Sequence, residues 1–174
     1  MWAKMVLTDF NGLVLFAPDL LADHFGGAIP EGTDLFTRFM QTDDGDAVLA
    51  AGLIVPVLAI DDAPYTVIVR MATEQSPIAA ETVVVENGTV ALAVATRVVV
   101  ADLVVLKEWI DDLGWHDVDT GLEHGAYAVT VRGFRVLDAA QHTIVDAGYE
   151  FVLDPRPALP TVTADTGTKM RVMW

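Results

Sequence analysis

Short apolar runs alternate with turn residues along most of the chain, a pattern that is typical of a β-rich protein. Asn11-Gly12 separates two apolar runs near the beginning of the sequence, and Asn87-Gly88 separates two more near its middle. Asn and Gly tolerate the positive φ angles of tight two-residue turns, so each pair predicts a β-hairpin.

Further strands are predicted from β-branched and aromatic residues in short runs between turns. They are Val48–Ile60, Tyr65–Met71, Trp115–Val118, Ala126–Val136, Thr143–Val145, Tyr149–Leu153 and Lys169–Trp174. The proline-containing stretch at 154–157 predicts a stiff link after these strands.

One main helix is predicted at about residues 102–113. Asp102 can cap its N-terminus, apolar residues follow at helical spacing from Leu103 to Leu113, and Gly114 suits its C-terminal end. Asp19–Phe25 and Asp34–Gln41 predict shorter helical turns, with an acidic turn after the second.

The fold class predicted from this pattern is mainly β, as an antiparallel sandwich or barrel-like domain with that one main helix. We predict a single domain over residues 1–174, because no linker interrupts the pattern. Tyr65–Arg70 and Tyr127–Arg132 are identical at four of six positions. The match indicates either an internal duplication or two similar half-buried strands.

Composition narrows the functional classes. The chain carries 25 acidic and 10 basic residues, a net charge of −15, which disfavours nucleic acid and anionic membranes as partners and favours a basic protein. Hydrophobic residues make up 53%, enough for a continuous core and for a homo-oligomer interface. Cysteine is absent, which excludes disulfides and thiol nucleophiles.

Neither the N-terminal residues nor the most apolar stretch of the sequence predicts association with a membrane. The N-terminal residues lack the pattern of a signal peptide, so a cytoplasmic location is expected. Gly88–Leu106 is about long enough to cross a bilayer, but Arg97 and Asp102 interrupt it, and its β-branched residues favour buried strand.

Catalytic motifs are missing from the sequence. There is neither a phosphate-binding loop of the Walker type nor a dinucleotide-binding glycine motif, and no cofactor is expected. The single serine, Ser76, stands in a turn sequence without the nucleophile elbow of hydrolases. An alternative is a metal-dependent enzyme or a small-ligand β-barrel. Its candidate ligands are His116, Glu123, His124 and His142.

Acidic clusters are the stronger candidates for a site. They lie in predicted turns and on the predicted helix surface, where a basic protein could contact them. The residues are Asp43, Asp44, Asp46, Asp61, Asp62, Asp111 and Asp112.

Two segments of the last third carry a family resemblance. Gly125–Val131, with its Gly-x-Tyr-x-Val-x-Val pattern, followed by Gly148–Leu153, resembles the paired strands of small bacterial immunity proteins and competence-associated nuclease inhibitors. The resemblance implies an acidic inhibitor without enzymatic activity, such as an immunity protein that neutralises a cognate toxin. It implies no particular contact residues.

Overall fold

Two β-sheets packed face to face make up the protein, with helices on the outer side of one of them. The computed structural model describes residues 1–110, 114–118 and 122–173. In chain order the strands are β1 (Trp2–Leu7), β2 (Gly12–Phe16), β3 (Ile54–Leu58), β4 (Pro64–Met71), β5 (Val83–Val94), β6 (Val99–Asp102), β7 (His116–Asp117), β8 (Gly125–Leu137) and β9 (Ile144–Arg156). The described helices are α1 (Pro18–His24), α2 (Leu35–Gln41), α3 (Asp44–Ala50) and α4 (Val104–Lys107).

The large sheet has the strand order β1-β4-β9-β8-β5, and the small sheet has the order β3-β2-β6-β7. The fold is therefore mainly β and a sandwich of two open sheets, as the sequence predicted. Its pairing is not wholly antiparallel, because β4 and β9 run parallel in the centre of the large sheet.

Strand alternation divides the interior into two apolar layers. In β2, Leu13 and Leu15 face the large sheet, whereas Val14 and Phe16 face the helices. All five residues of β2 are buried, so this strand has apolar neighbours on both sides. The helices supply the second layer with residues such as Leu21 and Leu35.

The predicted main helix at 102–113 is wrong in length. Asp102 does accept a hydrogen bond from the Val104 amide (2.9 Å), but α4 ends at Lys107 and Glu108 is extended (φ −139°, ψ 90°). The Trp109 backbone pairs with that of Gly32 and Thr33, which leaves it no helical partner. Tertiary pairing has thus overridden the helical spacing, and residues 111–113 lie outside the described part.

The two shorter helical turns are confirmed as α1 and α2. Asp34 caps α2 by accepting a hydrogen bond from the Thr37 amide at 2.8 Å. The acidic turn is shorter than predicted, because α3 begins within it at Asp44. The first part of the strand predicted at Val48–Ile60 is therefore helix, and only β3 is strand.

The hairpin predicted at Asn11-Gly12 does not form, because its two strands belong to different sheets. β1 pairs with β4, and β2 pairs with β3 and β6. Asn11 has the positive φ expected of it (49°). A Cβ on Gly12 would lie 2.6 Å from the Leu103 side chain, so glycine is needed where the chain crosses between layers.

The hairpin predicted at Asn87-Gly88 is also absent, because both residues lie within β5 at an irregularity between Glu86 and Thr89. The Asn87 amide group exchanges hydrogen bonds with the backbone of Asp165, at 3.0 Å each. A Cβ on Gly88 would lie 2.7 Å from the Thr163 carbonyl. This pair therefore docks the C-terminal segment instead of turning the chain.

That C-terminal segment, residues 157–173, connects the edges of the two sheets. Thr163 donates from its amide to the Thr89 carbonyl on β5, and Met170 donates to the Leu58 carbonyl on β3. The Tyr149 hydroxyl donates to the Met170 carbonyl at 2.8 Å. The strand predicted at 169–174 is absent from its described residues, and residues predicted as a link at 154–156 extend β9 instead.

The two repeated segments, Tyr65–Arg70 and Tyr127–Arg132, lie in β4 and β8 on either side of β9. Both arginines reach the same carboxylate, that of Glu150. Arg70 Nε lies 2.7 Å from Glu150 Oε1, and Arg132 Nη1 lies 3.1 Å from Oε2. The repeat thus places two cations around one buried anion within a single sheet.

Glu150 is 1% exposed, although it lies on the outer face of the large sheet. The segment after β4 covers it: Ser76 donates its hydroxyl to Oε1 at 2.6 Å, and Arg70 donates to the carbonyls of Met71 and Glu74. Burial alone would raise the pKa of Glu150, but the hydrogen bonds and the arginine charges outweigh burial and lower this pKa.

Glu150→Gln should lower the free energy of unfolding by about 3 kcal/mol, because it leaves the buried Arg70 guanidinium without its counter-charge and removes the nearer of the two carboxylates beside Arg132. Urea unfolding at neutral pH measures the change. Glu86→Gln is the matched control, since Glu86 contacts Arg132 from a 58% exposed position and its loss should cost less than about 1 kcal/mol. Equal midpoints for both variants would contradict a structural role for Glu150.

Candidate functional site

The first predicted acidic cluster lies where α2 meets α3. Asp44 forms an ion pair with Arg38 of α2. Within the described residues, Asp43 and Asp46 have no ion-pair partner, and Asp46 is exposed. The junction therefore presents two free carboxylates next to one that is compensated.

The second cluster lies in the loop between β3 and β4. Asp61 Oδ1 is 3.6 Å from Arg171 Nε, and Asp62 Oδ1 accepts a hydrogen bond from the Asn11 amide at 2.8 Å. Asp62 thereby braces the crossing between the two sheets. Asp111 and Asp112, the third predicted cluster, lie outside the described residues.

Asp9 and Asp102, which the sequence reasoning did not select, join Asp62 at one end of the sandwich. The Asp9 amide donates to Asp102 Oδ2 at 2.6 Å, and Asp102 also caps the start of α4. We call these three residues the acidic end. No spacing rule relates positions 9, 62 and 102, and only the crossing at Asn11-Gly12 brings them together.

Crowding at the acidic end affects protonation. Burial raises the pKa of Asp102 above its usual value, and the charges of Asp9 and Asp62 raise it further. Hydrogen bonds from the Asp9 and Val104 amides act in the opposite direction without cancelling these effects. A cation placed at this end would therefore be attracted by three carboxylates.

An apolar groove lies next to the acidic end, over the outer side of edge strand β3. Its cavity volume is about 90 Å³, between α2 and α3 on one side and α4 on the other. Its lining is mostly aliphatic and aromatic, with Asp46 on the rim. The main lining residues are Phe36, Phe39, Met40, Leu49, Ile54, Pro56, Leu58, Leu103 and Leu106.

Direct contacts join the groove to the acidic end. Leu103 lines the groove and immediately follows Asp102. Phe10, which follows Asp9, packs edge-on against Phe36 of the groove at 5.2 Å between ring centres. The groove and the acidic end are therefore neighbours, joined through Phe10 and Leu103.

The basic side chains on α2 and α4, beside the groove, are compensated. No lysine or arginine occurs between Arg38 and Arg70, whereas five aspartates do. Arg38 pairs with Asp44 and also lies over the Phe25 ring, and Lys107 pairs with Asp34 at the start of α2. Free negative charge therefore dominates around the groove.

The alternative metal ligands do not converge. Among the described residues, no group of three or more histidine, aspartate or glutamate side chains is placed to hold a metal ion. His116 lies on β7, where burial lowers its pKa, and His142 lies in the turn between β8 and β9. Glu123 and His124 lie exposed just before β8.

The helices of the described part are all too short to cross a membrane. Gly88–Leu106, the stretch weighed as a membrane span, is divided among β5, β6 and α4.

Comparison with solved structures adds a fold relationship. ComJ from Bacillus subtilis, described as an inhibitor of the DNA-degrading activity of NucA, superposes with a TM-score of 0.50 at 12% identity, over 90% of this chain and 96% of ComJ. The fold resembles that of ComJ. A second structure, described as crocagin biosynthetic gene J, has a TM-score of 0.48 at 13% identity over 89% of this chain and 95% of its own. No family model and no curated protein matches the sequence.

Asp9→Asn should lower the pKa of Asp102, because it removes a neighbouring negative charge while keeping the Asp9 amide that donates to Asp102. Carboxyl-carbon NMR titration measures this pKa. Since folding raises the pKa of Asp102, its contribution to stability is complete below the unfolded pKa and is lost as pH rises through the folded pKa. The variant should therefore lose less stability over that pH window than the unchanged protein.

Asp19→Asn, on α1 away from the acidic end, is the control and should leave the Asp102 titration unchanged. An Asp102 pKa that is the same with and without Asp9 would contradict the crowding described for the acidic end.

Proposed function

We propose that this chain is an inhibitory binding protein, which neutralises a basic protein partner as an immunity protein neutralises its toxin. The observation that carries the proposal is the apolar groove beside the acidic end, with free carboxylates at Asp43 and Asp46 and compensated cations on α2 and α4. Apolar contact supplies affinity at protein interfaces, and complementary charge supplies fast, selective encounter.

The net charge of −15 supports the same function. A strongly negative protein accelerates association with a positively charged partner and repels nucleic acids. Both effects suit an inhibitor that must find a basic protein among many other molecules.

The described activity of ComJ makes a DNA-degrading enzyme the first class of target to test. Such an enzyme binds phosphates through clustered lysines and arginines, and these could equally contact the aspartates of this chain. Inhibition would then follow from occupation of the surface that the nucleic acid needs.

The test is to purify the tagged chain from its own host at low salt and to identify the protein that accompanies it. One basic protein in stoichiometric amount, released as the salt concentration rises, is expected. The activity of that isolated protein, with DNA cleavage assayed first, should disappear when the chain is added back. A partner whose activity the chain leaves intact would contradict inhibition.

Charge reversal tests which surface is used. Asp43→Lys combined with Asp46→Lys should weaken binding of the partner by about tenfold at low salt, and less at high salt. Glu31→Lys combined with Glu81→Lys is the control, since both glutamates are exposed, line neither the groove nor the acidic end, and change the net charge equally. Equal affinity and equal salt dependence of the two double variants would mean that the acidic clusters do not contact the partner.

A further inference from the structure

The apolar groove has no role in a binding site that consists of the acidic clusters alone. Helices α1 to α4 cover the outer face of the small sheet, but they leave a gap above β3. Pro56 and Leu58 are only half-buried there, although they point to the same side as the buried Ile54. Met40 at the mouth is 64% exposed.

Exposed methionine next to half-buried phenylalanine is typical of surfaces that adapt to an inserted side chain. Methionine is unbranched and polarizable, so it can rearrange around a guest at low cost. Phe36 and Phe39 supply flat walls, and Leu103 and Leu106, just before and within α4, line the other side. The groove is therefore suited to one large apolar side chain.

A second depression continues this groove across β3 to the C-terminal segment. The two share Leu49, Pro56, Leu58 and Thr166, and Asp165 lies in the far part. A partner segment seated in the groove would thus have Asp46 and the acidic end near α4 on one side and Asp165 on the other.

Charge decides between the occupants that such a surface could take. A second copy of this chain would bring another −15 charge to an acidic surface, so repulsion opposes self-association. A partner segment with lysine or arginine on both sides of a large apolar residue would instead bury that residue in the groove and pair its cations with the carboxylates beside the groove.

We propose that the groove receives a large apolar side chain of the partner, flanked in the partner sequence by lysine or arginine that contacts Asp46 and the acidic end. This inference rests on the proposed function, because it names the contact through which the inhibited protein is held. The raised pKa of Asp102 is consistent with it, since a cation would relieve the repulsion among Asp9, Asp62 and Asp102.

Synthetic peptides test the groove without a known partner. The probe is a twelve-residue lysine-rich peptide with one central phenylalanine, compared with the same peptide carrying serine at the centre and with one carrying glutamate in place of lysine. Binding is measured by fluorescence anisotropy at low salt, and the site is mapped by methyl NMR. Only the first peptide should shift the methyl resonances of Met40, Leu49 and Leu58.

Two variants test the apolar and the charged contribution separately. Met40→Ser should weaken binding of that peptide roughly tenfold, because the guest loses an apolar neighbour, and Asp46→Lys should weaken it by a similar factor at low salt only. Met5→Ser and Glu81→Lys are the controls. Met5 is 70% exposed on β1 of the other sheet, and Glu81 is exposed beside β5, so neither should change binding.

Met40 and Asp46 are exposed, so their variants should remain folded, and circular dichroism checks this. No resonance shift at millimolar peptide, shifts elsewhere on the surface, or unchanged binding by both variants would overturn the groove as the contact. Concentration-dependent dimers that Met40→Ser dissolves would overturn it in favour of a second copy.

The same variants, applied to the partner purified from the host, separate this inference from the proposed function. A partner that is inhibited equally well by Met40→Ser and Asp46→Lys would leave the inhibitory function intact and remove the groove. Peptide binding in the groove without inhibition of the isolated partner would do the reverse.

Discussion

Each sheet packs one face against the other sheet in a shared apolar layer. The covering of its other face determines which parts of the sheets remain open at the surface. A sheet needs only one apolar face to pack, but the small sheet is buried on both sides, and the large sheet buries Ile68, Arg70 and Glu150 on its outer face. The outer face of the large sheet is covered around Glu150 by a loop fastened to that buried carboxylate. The small sheet is covered by short helices, which leave part of β3 open.

The loop over the large sheet and the helices over the small sheet are held by different interactions, so they differ in how far they can rearrange. The loop over the large sheet is held by Glu150 with Arg70, Arg132 and Ser76, so that its geometry is fixed by directional hydrogen bonds. The helices over the small sheet rest on aliphatic and aromatic contacts, which tolerate rearrangement. An adaptable binding surface fits the second cover better than the first.

Much of the fold could be predicted from local pattern. Alternating runs gave β4 and β8 nearly to the residue, and the helical turn predicted at Asp34–Gln41 corresponds to α2. The errors arose where distant residues decide the local structure. Asn87-Gly88 has the composition of a turn, yet Asp165 and Thr163 occupy its hydrogen bonds and its space. Likewise, the Trp109 backbone is not helical because it forms hydrogen bonds with the backbone of Gly32 and Thr33.

The candidate site, too, could be predicted only in the parts that local sequence determines. Composition alone indicated an acidic surface, and turn sequences located Asp43 to Asp46 and Asp61-Asp62. Asp9 lies between β1 and β2 and Asp102 ends β6, and they meet only because the chain changes sheets after β1. The groove could not be predicted either, since its walls come from three helices and an edge strand whose relative positions no local pattern specifies.

The parallel pairing of β4 with β9 affects how the chain folds. Thr66 pairs with Gly148, and Trp2 pairs with Val69, so the large sheet joins residues from opposite parts of the chain. Such distant pairs require large loops to close before any contact is gained, which slows folding. During translation the first half of the chain has no neighbour for the inner edge of β4 until β9 has emerged from the ribosome. Until then that unpaired edge is exposed to aggregation, and the nascent chain is a natural client for a chaperone.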